Sequence, residues 1–150
     1  MSETFDIIGV MKIMICGSMT FATKMKETKN QLEKLGFEVL VTKDLEHVIA
    51  NPNITADLDL DLQHCIEEDI FGDFLKLIEQ SDALLVLNYP KNGIDGYIGT
   101  SVIIEMGVGF YLHKKLYLIN ELPDYHEVRW AHEIAMMQPT CIEGDLKKIK

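Results

Sequence analysis

Glu105 is the residue of this 150-residue chain whose surroundings most demand an explanation. It stands in the run SVIIEMGVGFYL (101–112). At about 100° per residue its neighbours on a helical wheel are Ser101, Val102, Val108, Gly109 and Leu112, none of them charged. A solvated glutamate sits on a polar stripe, and carboxylates are seldom buried without a partner or a purpose. A carboxylate in the second turn of a helix, at the mouth of a cleft, can act as nucleophile or base. The structural alternatives are a core acid hydrogen-bonded to backbone and a residue that faces a partner chain.

The segment before it has the residues a ligand loop needs. Gly93, Gly96 and Gly99 let backbone approach a bound molecule closely. Thr100 or Ser101 can cap the helix that follows, and free amides at such a start suit a phosphate or a hydroxyl-rich sugar. An ordinary flexible connection with an ordinary cap has the same composition. No Gly-Lys-Ser/Thr marks a Walker loop, and Gly107-Val-Gly109 runs into Phe-Tyr-Leu rather than completing G-x-G-x-x-G. Asp95 lies in this loop, where aspartate also forms turns. Asp73 lies beside an apolar helical stripe one element upstream, where a solvated boundary residue would also sit. Cys16, at the end of an apolar run, is a conceivable nucleophile, but no partner histidine is identifiable and free cysteines are commonly core residues.

Metal chemistry finds no support in the spacing. Asp57-x-Asp59-x-Asp61 with Glu68 imitates a calcium loop, but Leu62 occupies the position where the sharp turn needs glycine. His132-Glu133 lacks the second histidine of a zincin. His47, His64, His113 and His126 show no ligand spacing, so neither a metal nor a cofactor is expected.

These residues need a scaffold that brings them together. Apolar runs at 12–16, 37–41, 83–88, 116–120 and 139–142 read as strands. Phe21, Met25, Leu32 and Leu35 mark a helix that Gly36 ends. Ile70, Phe71, Phe74, Leu75 and Ile78 mark another over 64–80, preceded by an irregular excursion from 43 to 63 that contains Asn51-Pro52-Asn53. Further helices are expected over 100–115 and 124–137, with a last turn at GDLKKI. Strands alternating with helices predict an α/β fold: a three-layer sandwich around a five-stranded parallel sheet of order 2-1-3-4-5. Ligands on such sheets bind beyond the carboxyl ends of the strands, near the switch between strands 1 and 3. That rule selects Cys16, Gly17, Ser18 and Met19 after the first strand, and Asn88, Asp95, Gly96, Gly99, Thr100 and Ser101 after the third.

Composition bounds the function. The chain is 47% hydrophobic and 25% charged, ordinary for one folded domain over 11–150 after an N-terminal extension of ten residues. Acidic residues exceed basic ones, 24 to 14, for a net charge of −10, so duplex nucleic acid is not an expected partner. Cys16, Cys65 and Cys141 form no disulfide framework and fit a reducing, cytoplasmic setting. Glu3 and Asp6 replace the positive charge of a signal peptide, and no apolar run approaches the ~20 residues of a membrane span.

Three segments resemble the nucleoside 2-deoxyribosyltransferase family: KIMICGSM (12–19), EQSDALLVLNYPKNGIDGYIGTSVIIEMGVGFYLHKKLYLIN (79–120) and, more weakly, IAMMQPTCIEGDLKKI (134–149). The second, with its Ser81-Asp82 before the strand and Glu105-Met106-Gly107 in the helix, is the diagnostic part. Related deoxynucleoside 5′-phosphate N-hydrolases share the opening Cys-Gly-Ser and the glutamate. The resemblance implies a flavodoxin-like or Rossmann-like fold and cleavage of the N-glycosidic bond of a deoxynucleoside or its 5′-monophosphate. It also implies Glu105 as the nucleophile, Asp73 as an assisting acid, and a homodimer or higher homo-oligomer whose sites are completed by a neighbour. Phe110, Tyr111, Tyr125 and Trp130 supply apolar surface for such contacts. Two departures stand out. The second acid that transferases carry about two turns before the glutamate is replaced by Ile98 and Gly99. The arginine that follows Cys-Gly-Ser in the phosphate-binding hydrolases is replaced by Met19-Thr20-Phe21. These departures motivate the alternative of a non-catalytic nucleotide-binding or sensor domain. The phosphoribohydrolase signature GG-x-GT-x-x-E fits less well, because Glu105 follows Thr100 by five residues.

Overall fold

The computed structural model describes residues 9–150; most of the expected N-terminal extension, residues 1–8, lies outside them. Five strands, β1 (Lys12–Cys16), β2 (Glu38–Leu40), β3 (Ala83–Val86), β4 (Lys115–Leu118) and β5 (Thr140–Cys141), form one sheet in the order β2-β1-β3-β4-β5. Every pairing is parallel, with Ile13 opposite Ala83, Val86 opposite Leu118, and Leu118 opposite Cys141. The fold is α/β and flavodoxin-like, as the alternation of elements predicts.

Side-chain alternation along the strands divides the core in two. Ile13, Ile15, Leu85, Tyr117 and Ile119 point to one face, covered by α1 (Ala22–Lys34), α2 (Leu45–Ala50) and the C-terminal residues Leu146 and Ile149. Met14, Cys16, Leu84, Val86 and Leu118 point to the other. There they meet α4 (Ile70–Gln80), α5 (Thr100–Tyr111) and α6 (Arg129–Met136). This period of two puts Cys16 on the α5 face, where Glu105 also sits. α5 lies unusually close to β3: a Cβ on Gly109 would stand 2.6 Å from Leu84 Cδ1.

Most expected elements hold with trimmed ends, and one does not. The helix expected over 64–80 is two helices, α3 (Leu58–Glu67) and α4, and the supposedly irregular stretch already contains α2 and the start of α3. Asp69 causes the break. Its backbone is left-handed (φ 48°), and its carboxylate accepts from the Gly72 amide at 3.3 Å, an N-cap in the middle of an apparently continuous pattern. Asp57, the first acid of the false calcium loop, likewise caps α3 by accepting from the Leu60 amide. Asp82 accepts from the Lys12 amide at 2.8 Å and so ties the start of β1 to the entry of β3.

Candidate active site

The loops after β1 and β3 and the start of α5 meet at the carboxyl edge of the sheet, at the switch point. Together with α2, α3 and α4 they enclose a cleft of about 410 Å³, within the ~300–1,000 Å³ typical of small-molecule sites. A depression of about 470 Å³ near His113, Lys115 and Gln138 lies at the opposite, amino-terminal end of β4 and β5, away from the strand termini that bind ligands in this architecture.

Glu105 lines the cleft, on the buried side of α5. Its residue exposure is 3%, and Oε2 is the buried side-chain oxygen left without a hydrogen-bond partner among the described residues. Burial pushes its carboxyl from 4.5 up to about 7, opposed in part by a hydrogen bond from the Cys16 thiol. The same burial, reinforced by the neighbouring carboxylate, pushes the Cys16 thiol well up. A thiol held neutral in this way is a poor nucleophile. Cys16 is therefore a neutral thiol beside Glu105 rather than an attacking group.

The rim carries positive charge that the sequence did not reveal. Lys91 Nζ donates to Ser18 Oγ at 2.8 Å and lies 5.7 Å from the centroid of the Tyr97 ring. Ser18 Oγ also exchanges a hydrogen bond with Thr20 Oγ1 at 2.9 Å. Paired backbone bonds between Lys91 and Ile94 close the tight turn that holds the lysine there. The β3 loop thus places a cation against the Ser18 side chain of the β1 loop. Thr100 and Ser101 open α5 beside it, and Gly99, the N-cap, offers no side chain, so the first amides of α5 stay free toward the cleft.

The opposite wall is acidic. Asp44 and Asp61 line it with Val48, Leu58, Cys65 and Phe74. Asp44 Oδ1 lies 2.7 Å from His64 Nε2, and this bond raises the imidazole above its ordinary value. His47 stacks on His64 with ring centroids 4.6 Å apart. These residues come from separate elements, which is why linear spacing shows no ligand pattern among them.

Of the residues selected from sequence, Gly17, Ser18, Met19, Gly99, Thr100, Ser101 and Glu105 line the cleft, and Cys16 reaches Glu105. Asp73, Asn88, Asp95 and Gly96 do not line it. The Asp73 carboxylate accepts from the Lys43 amide at 3.2 Å. Asn88 is fully buried, and its side chain is committed to Asn120: Nδ2 donates to the carbonyl and Oδ1 accepts from the amide, both at 2.9 Å. Asp95 is exposed in its turn. Gly96, at φ +74°, lets the loop pass so near the Glu121 carbonyl that a Cβ would overlap it.

The fold and the cleft define a doubly wound α/β protein with a desolvated carboxylate in a cleft at the carboxyl edge of its sheet. No known protein-family model matches the chain, and no curated protein matches it. Among the described residues no helix is long and apolar enough to cross a membrane.

Proposed function

We propose that the protein cleaves the N-glycosidic bond of a deoxynucleoside 5′-monophosphate, or of the nucleoside itself, with Glu105 as nucleophile. The observation that carries this reading is the unpartnered, buried Oε2 of Glu105 in the cleft. An ionised oxygen there attacks C1′ as the C1′–N bond breaks, and the bonding pair leaves with the base, which takes up a proton. The sugar is held as an ester of Glu105. Water releases it in hydrolysis; a second base takes it in transfer. With its carboxyl near 7, Glu105 is partly ionised at neutral pH, and the low-dielectric site favours attack by a charge that has shed its water.

The walls suit the two ends of such a substrate. Lys91, Ser18 and the first amides of α5 suit a 5′-phosphate. Asp61, on the acidic wall, suits the polar edge of the base and its proton. Incubation with a panel of nucleosides and 5′-monophosphates, with and without a free acceptor base, tests the reading. Base release or exchange is expected, fastest for monophosphates, and lost in Glu105→Gln. Asp73 lies off the cleft, which favours the non-catalytic alternative. A panel that raises thermal stability but never releases base would select that reading.

The exposed Phe110, Tyr111 and Tyr125 support assembly into a homo-oligomer, and a solution-scattering mass of one 17.1 kDa chain would oppose it. The three free cysteines suit a cytoplasmic protein.

A further inference from the structure

α3 is built inside out. Leu62 and Ile66 lie on its outer surface, 60% and 70% exposed, Leu58 at the cleft mouth is 77% exposed, and none of its ten residues is buried. Its less exposed positions are Asp61, His64 and Cys65, at i, i+3 and i+4. Most surface helices are anchored by an apolar stripe. The side that α3 turns inward instead carries side chains that bind metals.

Two further donors complete the set. Asp44, 8% exposed, immediately precedes α2, and His47 lies in its first turn. One ligand atom from each of Asp44, His47 and His64 can be chosen so that all three lie within 4.8 Å of one another. Ligands about 2.1 Å from a tetrahedral zinc ion stand about 3.4 Å apart. The 2.7 Å contact between His64 and Asp44 must therefore open slightly, and the exposed His47 ring must turn out of its stack on His64 to point at the same centre.

We propose that Asp44, His47 and His64 bind one divalent transition-metal ion of the zinc type, which fastens α3 to α2 at the mouth of the Glu105 cleft. Two imidazoles select this class over magnesium and calcium, which prefer oxygen cages. Three protein ligands leave a fourth position for water. The ion displaces the proton that His64 shares with Asp44. Asp61, on the same less exposed side of α3 as His64, adds negative charge that attracts a dication. The proposal goes beyond the glycosidic reading and does not depend on it, because its readout is binding.

The test uses the full chain, stripped with a chelator and titrated with Zn²⁺ and with Co²⁺. The expected result is one ion per chain by calorimetry, the visible absorption of four-coordinate Co²⁺, and a higher melting temperature. His47→Ala is the informative variant, since His47 is exposed and its ring has no hydrogen-bond partner among the described residues. It should change the metal-free melting temperature little, through loss of its stacking on His64 alone, and weaken binding by more than about tenfold, beyond the mildest effect of losing an outer-shell partner. His132→Ala, an exposed histidine on α6, should bind like the parent. Absence of stoichiometric binding, a Co²⁺ spectrum typical of six-coordinate ions, or equal affinity in His47→Ala would overturn the proposal.

Discussion

Replacing Glu105 by Gln should stabilise the protein, and the gain should depend on pH in a defined way. The carboxyl titrates at an ordinary 4.5 in the unfolded chain and near 7 in the folded one, because burial opposes its charge. Below the lower value both states are protonated and there is no penalty. Between the two, the unfolded chain ionises first, so the folded state loses ground as pH rises. Above the upper value the loss is constant. At about 1.4 kcal/mol per pH unit, the full effect is roughly 3 kcal/mol. The glutamine has no such term. Its advantage should be under about 1 kcal/mol at about pH 5 and roughly 3 kcal/mol at about pH 8. For a domain of this size that is a rise in Tm of roughly 6–12 °C at the higher pH. The new NH₂ group meets the same lack of partners as Oε2, which trims both values equally and leaves the pH dependence intact. Urea melts of both proteins across this range measure it. A difference that is flat with pH, or a glutamine variant that is less stable at the high end, would refute the claim that this carboxylate is desolvated. The same ionisation governs attack on C1′, so base release by the parent should rise with pH through about 7.

Lys91→Met should raise KM for 5′-monophosphates at least about tenfold, the value of one charge-assisted hydrogen bond, and leave unphosphorylated nucleosides nearly unchanged; steady-state kinetics on matched substrate pairs checks this. Asn88→Ala should cost about 2–4 kcal/mol in denaturant melts, because the Asn120 amide and carbonyl lose their partner in a buried setting. Gly109→Ala should cost about 1–3 kcal/mol by pushing α5 off the fully buried Leu84. It should also lower turnover more than Gly107→Ala, whose Cβ meets open space.

The sheet order and the odd placement of Glu105 were legible because both rest on period: apolar runs too short for helices, and one charge on an uncharged wheel. Lys91 was not legible. A lysine in a Pro-Lys-Asn-Gly turn reads as solvated, and only the pairing of β1 with β3 brings it to Ser18. Asp44, His47 and His64 escaped for a similar reason: they come from two separate helices, and α3, which holds His64, has its leucines exposed, so no inward stripe marks it. Asn88 misled in the opposite sense. A polar residue at the carboxyl end of a buried strand suggests a ligand contact, but here it holds backbone. Asp69 hid a helix break because its left-handed backbone leaves no apolar gap in the pattern.

The bonds between Asn88 and Asn120 make the two sides of the cleft mechanically unequal. They tie the segment after β3 to the segment after β4, Asn120 Nδ2 adding a third bond to the Asn88 carbonyl at 3.3 Å. Everything carried on that side, Lys91, Tyr97 and the start of α5 with Glu105, behaves as an anvil. On the other side α2 is seated in the core by Leu45 and Val48, but α3 has no buried residue, so α3 is the hammer. A molecule gripped between them meets fixed geometry at the end that touches Lys91 and adaptable geometry at the end that touches Asp61. Discrimination should therefore be strict for what the anvil reads and permissive for what the hammer reads, and changes of preference should arise from substitutions within 43–67 without disturbing the chemistry at Glu105.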